Sequence, residues 1–111
     1  MEREIEKLLY RAGVLQTYIG YKYFIKAVML VYESPSRLLN IGKEIYIPIA
    51  EEFSTDPRAV EKDIRTVRDV FMRNNGRKVL NEIGCDIWHE KPYPRELFEI
   101  FAAHLRINYK N

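Results

Sequence analysis

The chain has 111 residues, of which 47% are hydrophobic and 31% charged, and its formal net charge is +2 at pH 7. This length fits one domain, and this composition excludes a disordered segment because enough apolar side chains are present to form a core. The apolar stretches are too short or too charged for a signal peptide or membrane span, so we expect neither. The single cysteine, Cys85, excludes an internal disulfide and fits a reducing, cytoplasmic compartment.

Glycine, proline and short polar clusters divide the chain into about six segments and predict an all-helical fold. In segment 2–12 the apolar residues recur at helical spacing, and Gly13 after them is typical of a left-handed helix end. Segment 17–33 is rich in tyrosine and valine, which also suit a strand. Its length without a turn signal favours a buried central helix.

The third helix is expected from about Lys43 to Phe53, after Ser-Pro-Ser at 34–36 has interrupted the chain. Pro48 lies inside this segment. Proline lacks the backbone N–H and its ring contacts the preceding turn, which ordinarily costs about 3 kcal/mol within a helix. We therefore expect a kink at Pro48 or a helix that begins late.

Residues 54–57, Ser-Thr-Asp-Pro, predict the end of one helix and the start of another. The apolar residues that follow, Val60, Ile64, Val67 and Phe71, are separated by steps of four, three and four. Two helices joined by a short turn, the second of them long, indicate a helix-turn-helix over about residues 43–73. In that motif the second helix enters the major groove of DNA.

The outer face of this second helix carries polar and basic side chains that suit contacts with bases and phosphates. A glutamate accepts from the cytosine amino group, and lysine or arginine donates to guanine, each for about 1–3 kcal/mol of discrimination. A solvated helix face of mixed charge is the alternative that the spacing leaves open. The residues expected on this face are Arg58, Glu61, Lys62, Arg65, Thr66, Arg68 and Asp69.

The last third of the chain adds supporting helices and no chemistry that we can recognise. Asn-Asn-Gly-Arg at 74–77 is typical of a helix end at a left-handed glycine, and Pro94 begins a final helix. Cys85 and Asp86 stand near His89 and Glu90 without the convergent partners of a metal site or an activated nucleophile. We therefore expect no enzyme, no metal and no cofactor.

Three stretches resemble a known family: Gly13-Val14, residues 21–32 (YKYFIKAVMLVY) and residues 45–65 (IYIPIAEEFSTDPRAVEKDIR). They are similar to the C-terminal DNA-binding effector domain of the sporulation initiation response regulator, the stage-zero master regulator of endospore formers. The resemblance extends over almost the whole chain. Its most specific parts are Ile49-Ala50, Phe53, Thr55, Val60-Glu61 and Ile64-Arg65.

The resemblance implies a single all-α bundle of about six helices, of the response-regulator effector type, which is winged-helix-like and contains a helix-turn-helix. It implies sequence-specific binding of duplex DNA in transcription regulation, as a homodimer on tandem operator boxes and under control of a phosphorylated receiver domain. The chain contains no receiver sequence, so an excised effector domain and a stand-alone relative both remain open.

The resemblance also assigns roles to residues of the second helix. Glu61 matches the position of a glutamate that contacts bases in the family, and Lys62 matches the position of an arginine that contacts bases. Arg65 matches the position of a basic contact residue. The chain departs from the family pattern at three places. Lys62 carries the point charge of an ammonium group where the family has the planar guanidinium group of an arginine. Glu51-Glu52 stands where basic residues are expected, and Asp63 places a negative charge beside the contact residues.

Two hypotheses follow for residues 1–111 as a single domain. The first is a DNA-binding regulator, whose partners are duplex DNA, a second copy on tandem sites, and a receiver domain or related regulator. Its contact set is Arg58, Glu61, Lys62, Arg65, Thr66 and Arg68. The second is a protein-interaction module that does not bind DNA and pairs with a related full-length regulator, and the acidic residues Glu51, Glu52 and Asp63 favour it.

Overall fold

The computed structural model describes residues 1–84 and 91–109, and the secondary structure within these ranges is entirely helical. Cys85, on which the prediction of a reducing compartment rests, lies outside them. The elements are α1 (Glu2–Arg11), α2 (Gly20–Glu33), a 3-10 helix (Pro35–Asn40), a π-helical turn (Gly42–Tyr46), α3 (Ile47–Glu52), α4 (Pro57–Arg73), α5 (Gly76–Glu82) and α6 (Pro94–Tyr109). The predicted all-α bundle is confirmed. None of the described helices is long and apolar enough to cross a bilayer.

Helix α2 is the centre of the bundle and packs against α1, α3, α4 and α6. A cluster of phenylalanine rings joins it to two of these helices. The ring centroid of Phe24 lies 5.4 Å from that of Phe98 and 5.2 Å from that of Phe101, and the centroids of Phe71 and Phe101 are 5.7 Å apart. All three pairs have the edge-to-face geometry that adds about 0.5–1.5 kcal/mol beyond burial. The cluster therefore joins α2 to α6, and α6 to α4.

The C-terminal end of α2 is capped by arginines from other elements. The last carbonyl groups of a helix have no partner within it. Arg37 Nη1 donates to the carbonyl oxygen of Leu30 at 2.7 Å, and Arg106 Nη2 donates to those of Val31 and Tyr32 at 2.8 Å and 3.2 Å. The guanidinium groups thus hold the 3-10 helix and α6 against this end of α2.

The N-terminal end of α2 lies unusually close to the backbone of α4. A Cβ atom at Gly20 would lie 2.2 Å from the carbonyl oxygen of Asp63 and 3.0 Å from Cγ2 of Val67. Real Cβ atoms do not approach other heavy atoms so closely. The absence of a side chain at Gly20 is therefore what allows α2 and α4 to pack at this distance.

The two glycines that were predicted to end helices differ in the structure. Gly13 has a φ of +87° at the end of α1, which confirms its left-handed conformation. Gly76 does not have a positive φ, so the prediction of a left-handed helix end there is wrong. It begins α5, and a Cβ atom at this position would lie 2.3 Å from the Phe71 ring. Gly76 is required by close packing.

The segment around Pro48 has the late helix start that was predicted as one of two outcomes. Residues Gly42–Tyr46 form a π-helical turn, and the N–H of Ile47 donates to the carbonyl oxygen of Gly42. The α-helical part begins at Ile47 and places Pro48 in its first turn. A proline is tolerated there because the first N–H groups of a helix have no helical partner.

Candidate nucleic-acid interface

The turn between α3 and α4 consists of residues 53–56 and is held by both backbone and side-chain contacts. The N–H of Thr55 donates to the carbonyl oxygen of Ala50 at 2.9 Å, and Ser54 takes a left-handed φ of 54°. The Phe53 ring packs edge-on against Tyr23 of α2, with 5.3 Å between centroids. These contacts attach the turn to the central helix and so determine the direction in which α4 leaves it.

The start and the inner face of α4 are those that the sequence predicts. Asp56 Oδ1 accepts a hydrogen bond from the backbone N–H of Arg58 at 2.7 Å, which caps the helix, and Pro57 lies in its first turn. The whole predicted inner stripe is buried, comprising Val60, Ile64, Val67 and Phe71. The opposite face of α4 is therefore directed outwards.

Five of the six predicted contact residues lie on this outward face. Arg58, Lys62, Arg65 and Thr66 are exposed, and Glu61 is partly exposed at its edge. Arg65 Nη2 donates to Glu61 Oε2 at 2.8 Å, with 54% and 42% of the two side chains exposed. This hydrogen bond and the charge of Glu61 raise the pKa of Arg65, which keeps its guanidinium fully charged. The structure therefore presents a compact polar surface along the N-terminal half of α4.

Arg68, the sixth predicted contact residue, does not lie on the outward face, and the prediction that places it on that face is wrong. Only 7% of Arg68 is exposed. Its Nη1 donates to the carbonyl oxygen of Pro92 at 2.9 Å, and its Nε donates to Asp69 Oδ1 at 2.8 Å. Arg68 follows the buried Ile64 by four residues and so lies on the same side of the helix. Its guanidinium attaches the segment before α6 to α4.

We expect Arg68→Ala to destabilise the domain by about 2 kcal/mol, because a buried, charged donor and its hydrogen bonds to Pro92 and Asp69 are lost. Urea unfolding followed by circular dichroism measures this difference. Arg65→Ala is the matched control, since its ion pair is exposed and is expected to contribute less than about 1 kcal/mol. An Arg68→Ala protein of unchanged stability but weakened DNA binding would show that Arg68 is a contact after all.

The acidic residues that depart from the family pattern are arranged so that only part of their charge faces the candidate interface. Glu51 and Glu52 are both exposed, and Glu52 Oε1 lies 3.1 Å from Lys26 Nζ of α2, which balances the charge of Glu52. Asp63 lines a depression with residues 17–20, on the flank of α4 that faces the start of α2. Residues two apart in a helix do not share a face, so Asp63 does not face Glu61 or Arg65, but Thr66, three residues further on, lines the same depression as Asp63.

A cleft of about 540 Å³ lies beside the outward face of α4, between this helix, the π-helical turn and the start of α6. Its polar lining includes Tyr46, Arg65, Lys91, Tyr93 and Arg95. Glu61 and Arg68 line the cleft as well, and with Arg65 they belong to the predicted contact set. Helical periodicity gives no signal for the others, because the cleft is formed by segments that are distant in sequence.

Tyr46 lines this cleft and is 8% exposed. Burial raises the pKa of Tyr46 to about 12, and the negative charge of Glu61 acts in the same direction. The nearby positive charges of Arg65, Arg68 and Arg95 act against this increase. The hydroxyl group is therefore protonated at neutral pH and available as a hydrogen-bond donor.

A small all-helical domain whose helix-turn-helix presents an exposed polar and basic second helix has the architecture of a DNA-binding domain. The family model described as "Sporulation initiation factor Spo0A C terminal" matches residues 5–105 of the 111 in the chain. The chain belongs to this family, as the resemblance implied. The family is the DNA-binding domain of a sporulation regulator.

Proposed function

We propose that this domain binds duplex DNA in a sequence-specific manner in transcription regulation, with α4 as the recognition helix in the major groove. The observation that carries the proposal is the exposed face of α4, where one rigid helix presents five polar side chains. A helix of this kind fits the major groove, in which each base pair shows its own pattern of donors and acceptors. The proposed contact set is Arg58, Glu61, Lys62, Arg65 and Thr66.

The ion pair between Glu61 and Arg65 prepares both side chains for base reading. A guanidinium group carries five N–H donors, and the bond to Glu61 uses only one of them. The remaining donors of Arg65 can contact O6 and N7 of guanine, while Glu61 keeps an oxygen that can accept from a cytosine amino group. The pair thus holds a donor and an acceptor at adjacent positions.

Lys62, Thr66 and Arg58 complete the proposed surface with less directional contacts. Lys62 is exposed and supplies a point charge for guanine or phosphate. The Thr66 hydroxyl donates to the carbonyl oxygen of Lys62 at 3.3 Å, so its methyl group and lone pairs are what remain for a base. Arg58 lies in the first turn of α4, where the positive end of the helix dipole also attracts phosphate.

Fluorescence anisotropy tests this proposal on two labelled duplexes, one with the operator box that the family binds and one with the same bases scrambled. We expect tighter binding to the box at every salt concentration. The affinity should fall with salt by a slope of roughly 0.9 for each phosphate contact on a logarithmic scale. Equal affinity for the two duplexes across the salt series would reject sequence-specific recognition.

The second candidate is a protein-interaction module that pairs with a related full-length regulator. The exposed Glu51 favours it, because a carboxylate on α3 beside the candidate interface repels phosphate. Under this hypothesis the domain shows no preference for the box but forms a stable complex with the regulator in light-scattering chromatography. Homodimerisation on tandem boxes and control by a receiver domain belong to the first proposal. Light-scattering chromatography with a duplex that carries tandem boxes tests the homodimerisation.

A further inference from the structure

The cleft beside α4 contains a positive charge that the rest of the described structure does not balance. Four cationic side chains line it: Arg65, Arg68, Lys91 and Arg95. Three of them have carboxylate partners, because Arg65 pairs with Glu61, and both Arg68 and Lys91 contact Asp69. Arg95 is exposed and has no such partner among residues 1–84 and 91–109.

A second observation at the same place concerns the hydroxyl group of Tyr46. The side chain is more than nine-tenths buried and lines the cleft, yet its hydroxyl makes no hydrogen bond with the described part of the chain. The hydroxyl oxygen is open to the cleft, because no side-chain nitrogen or oxygen atom of the described residues is both buried and without a hydrogen-bond partner. A neutral donor beside an unbalanced guanidinium is a combination that suits an anion with more than one oxygen atom.

The position of the cleft determines which anion it would meet. Arg65 belongs both to the exposed face of α4 and to the lining of the cleft, so the two surfaces are continuous. A helix in the major groove has the phosphodiester backbone on either side of it, and protein groups beside the helix contact that backbone. The cleft therefore opens where a backbone phosphate would lie.

We infer that this cleft binds a phosphodiester group of the DNA backbone, with Arg95 and the Tyr46 hydroxyl as its donors. The inference rests on the proposed function and adds to it a contact outside the helix-turn-helix. Such a contact fixes the position of α4 in the groove without reading sequence, since a phosphate is the same at every base pair. Lys91 lies at the same cleft and adds long-range attraction.

Fluorescence anisotropy over a salt series tests this inference with Arg95→Ala on both the box duplex and the scrambled duplex. We expect affinity to fall about tenfold on both duplexes, as for a lost hydrogen bond to a charged group. The salt slope should decrease by about 0.9, the value for one phosphate contact. The ratio between the two affinities should stay the same. Arg95→Lys should restore the slope but not the full affinity, because lysine keeps the positive charge but lacks the planar guanidinium group and its paired donors.

Tyr46→Phe tests the contribution of the Tyr46 hydroxyl group separately from that of the Arg95 charge. It keeps the buried ring, so the domain remains folded, and we expect a loss of about threefold on both duplexes with no change of slope because the lost donor is neutral. Arg3→Ala is the control. Arg3 lies on α1, which contacts α6 through Glu4 and His104, roughly 13 Å along α6 from Arg95.

Unchanged affinity and slope for Arg95→Ala would overturn the inference, as would a loss confined to the box duplex, which would make Arg95 a base contact. Absence of duplex binding by the unaltered protein would also overturn it. A protein that binds both duplexes equally rejects sequence specificity alone, because the effect of Arg95→Ala on the slope still decides the phosphate contact.

Discussion

The double variant Lys62→Ala/Arg65→Ala is expected to bind the operator box no more tightly than a scrambled duplex. Each base contact contributes about 1–3 kcal/mol of discrimination, so the loss of both corresponds to a factor of at least about 30. Both side chains are exposed on α4, so the fold should remain intact. Anisotropy gives the two affinities, and circular dichroism in urea confirms that unfolding is unchanged.

A pair of substitutions on α1 is the matched control for this loss of charge. Arg3→Ala/Lys7→Ala removes the same two charges from one exposed helix face that lies outside the helix-turn-helix. We expect this variant to keep the full preference for the box. If the α4 variant keeps its preference, or the α1 variant loses as much, α4 is not the element that reads the bases.

Gly20→Ala is expected to have the largest effect on stability, a loss of about 3 kcal/mol, which is at the upper end for overpacking. The added methyl group would lie 2.2 Å from the carbonyl oxygen of Asp63, and a backbone atom cannot move away as a flexible side chain does. Helices α2 and α4 would have to separate. The midpoint of urea unfolding measures the change.

Gly42→Ala is the matched control for the stability experiment. It adds the same methyl group in a helical segment, but no heavy atom beyond the local backbone of that segment lies within 4 Å of the added group, and no positive φ is required. We expect a change of no more than about 1 kcal/mol in either direction. Comparable losses for Gly20→Ala and Gly42→Ala would show that close packing of α2 on α4 does not limit stability.

The helices that the sequence predicts well are those determined by residues that are close together in the chain. The steps of four, three and four from Val60 to Phe71 determine the buried side of α4, and Asp56-Pro57 marks its start. Side-chain spacing and capping carry this information within one turn of the helix. The outward positions of Arg58, Lys62 and Arg65 follow from the same spacing.

The features that escaped prediction depend on contacts between distant segments. Arg68 is buried because the chain around Pro92 covers it, which no pattern within α4 reveals. Gly76 looks like a helix end, yet its role is to make room for Phe71. The cleft with Tyr46 and Arg95 arises only when the π-helical turn and α6 meet α4. Tertiary packing overrides local propensity at each of these places.

The assignment of α4 as the recognition helix depends on which surface of the domain contacts DNA. Mapping of backbone amide chemical shifts in the ¹⁵N-labelled domain, titrated with the operator-box duplex, measures this. We predict the largest changes at residues 57–66 of α4 and a second group at residues 91–95 beside the cleft. Changes confined to α1 and the segment before α2, with α4 unaffected, would contradict the assignment of α4 as the recognition helix.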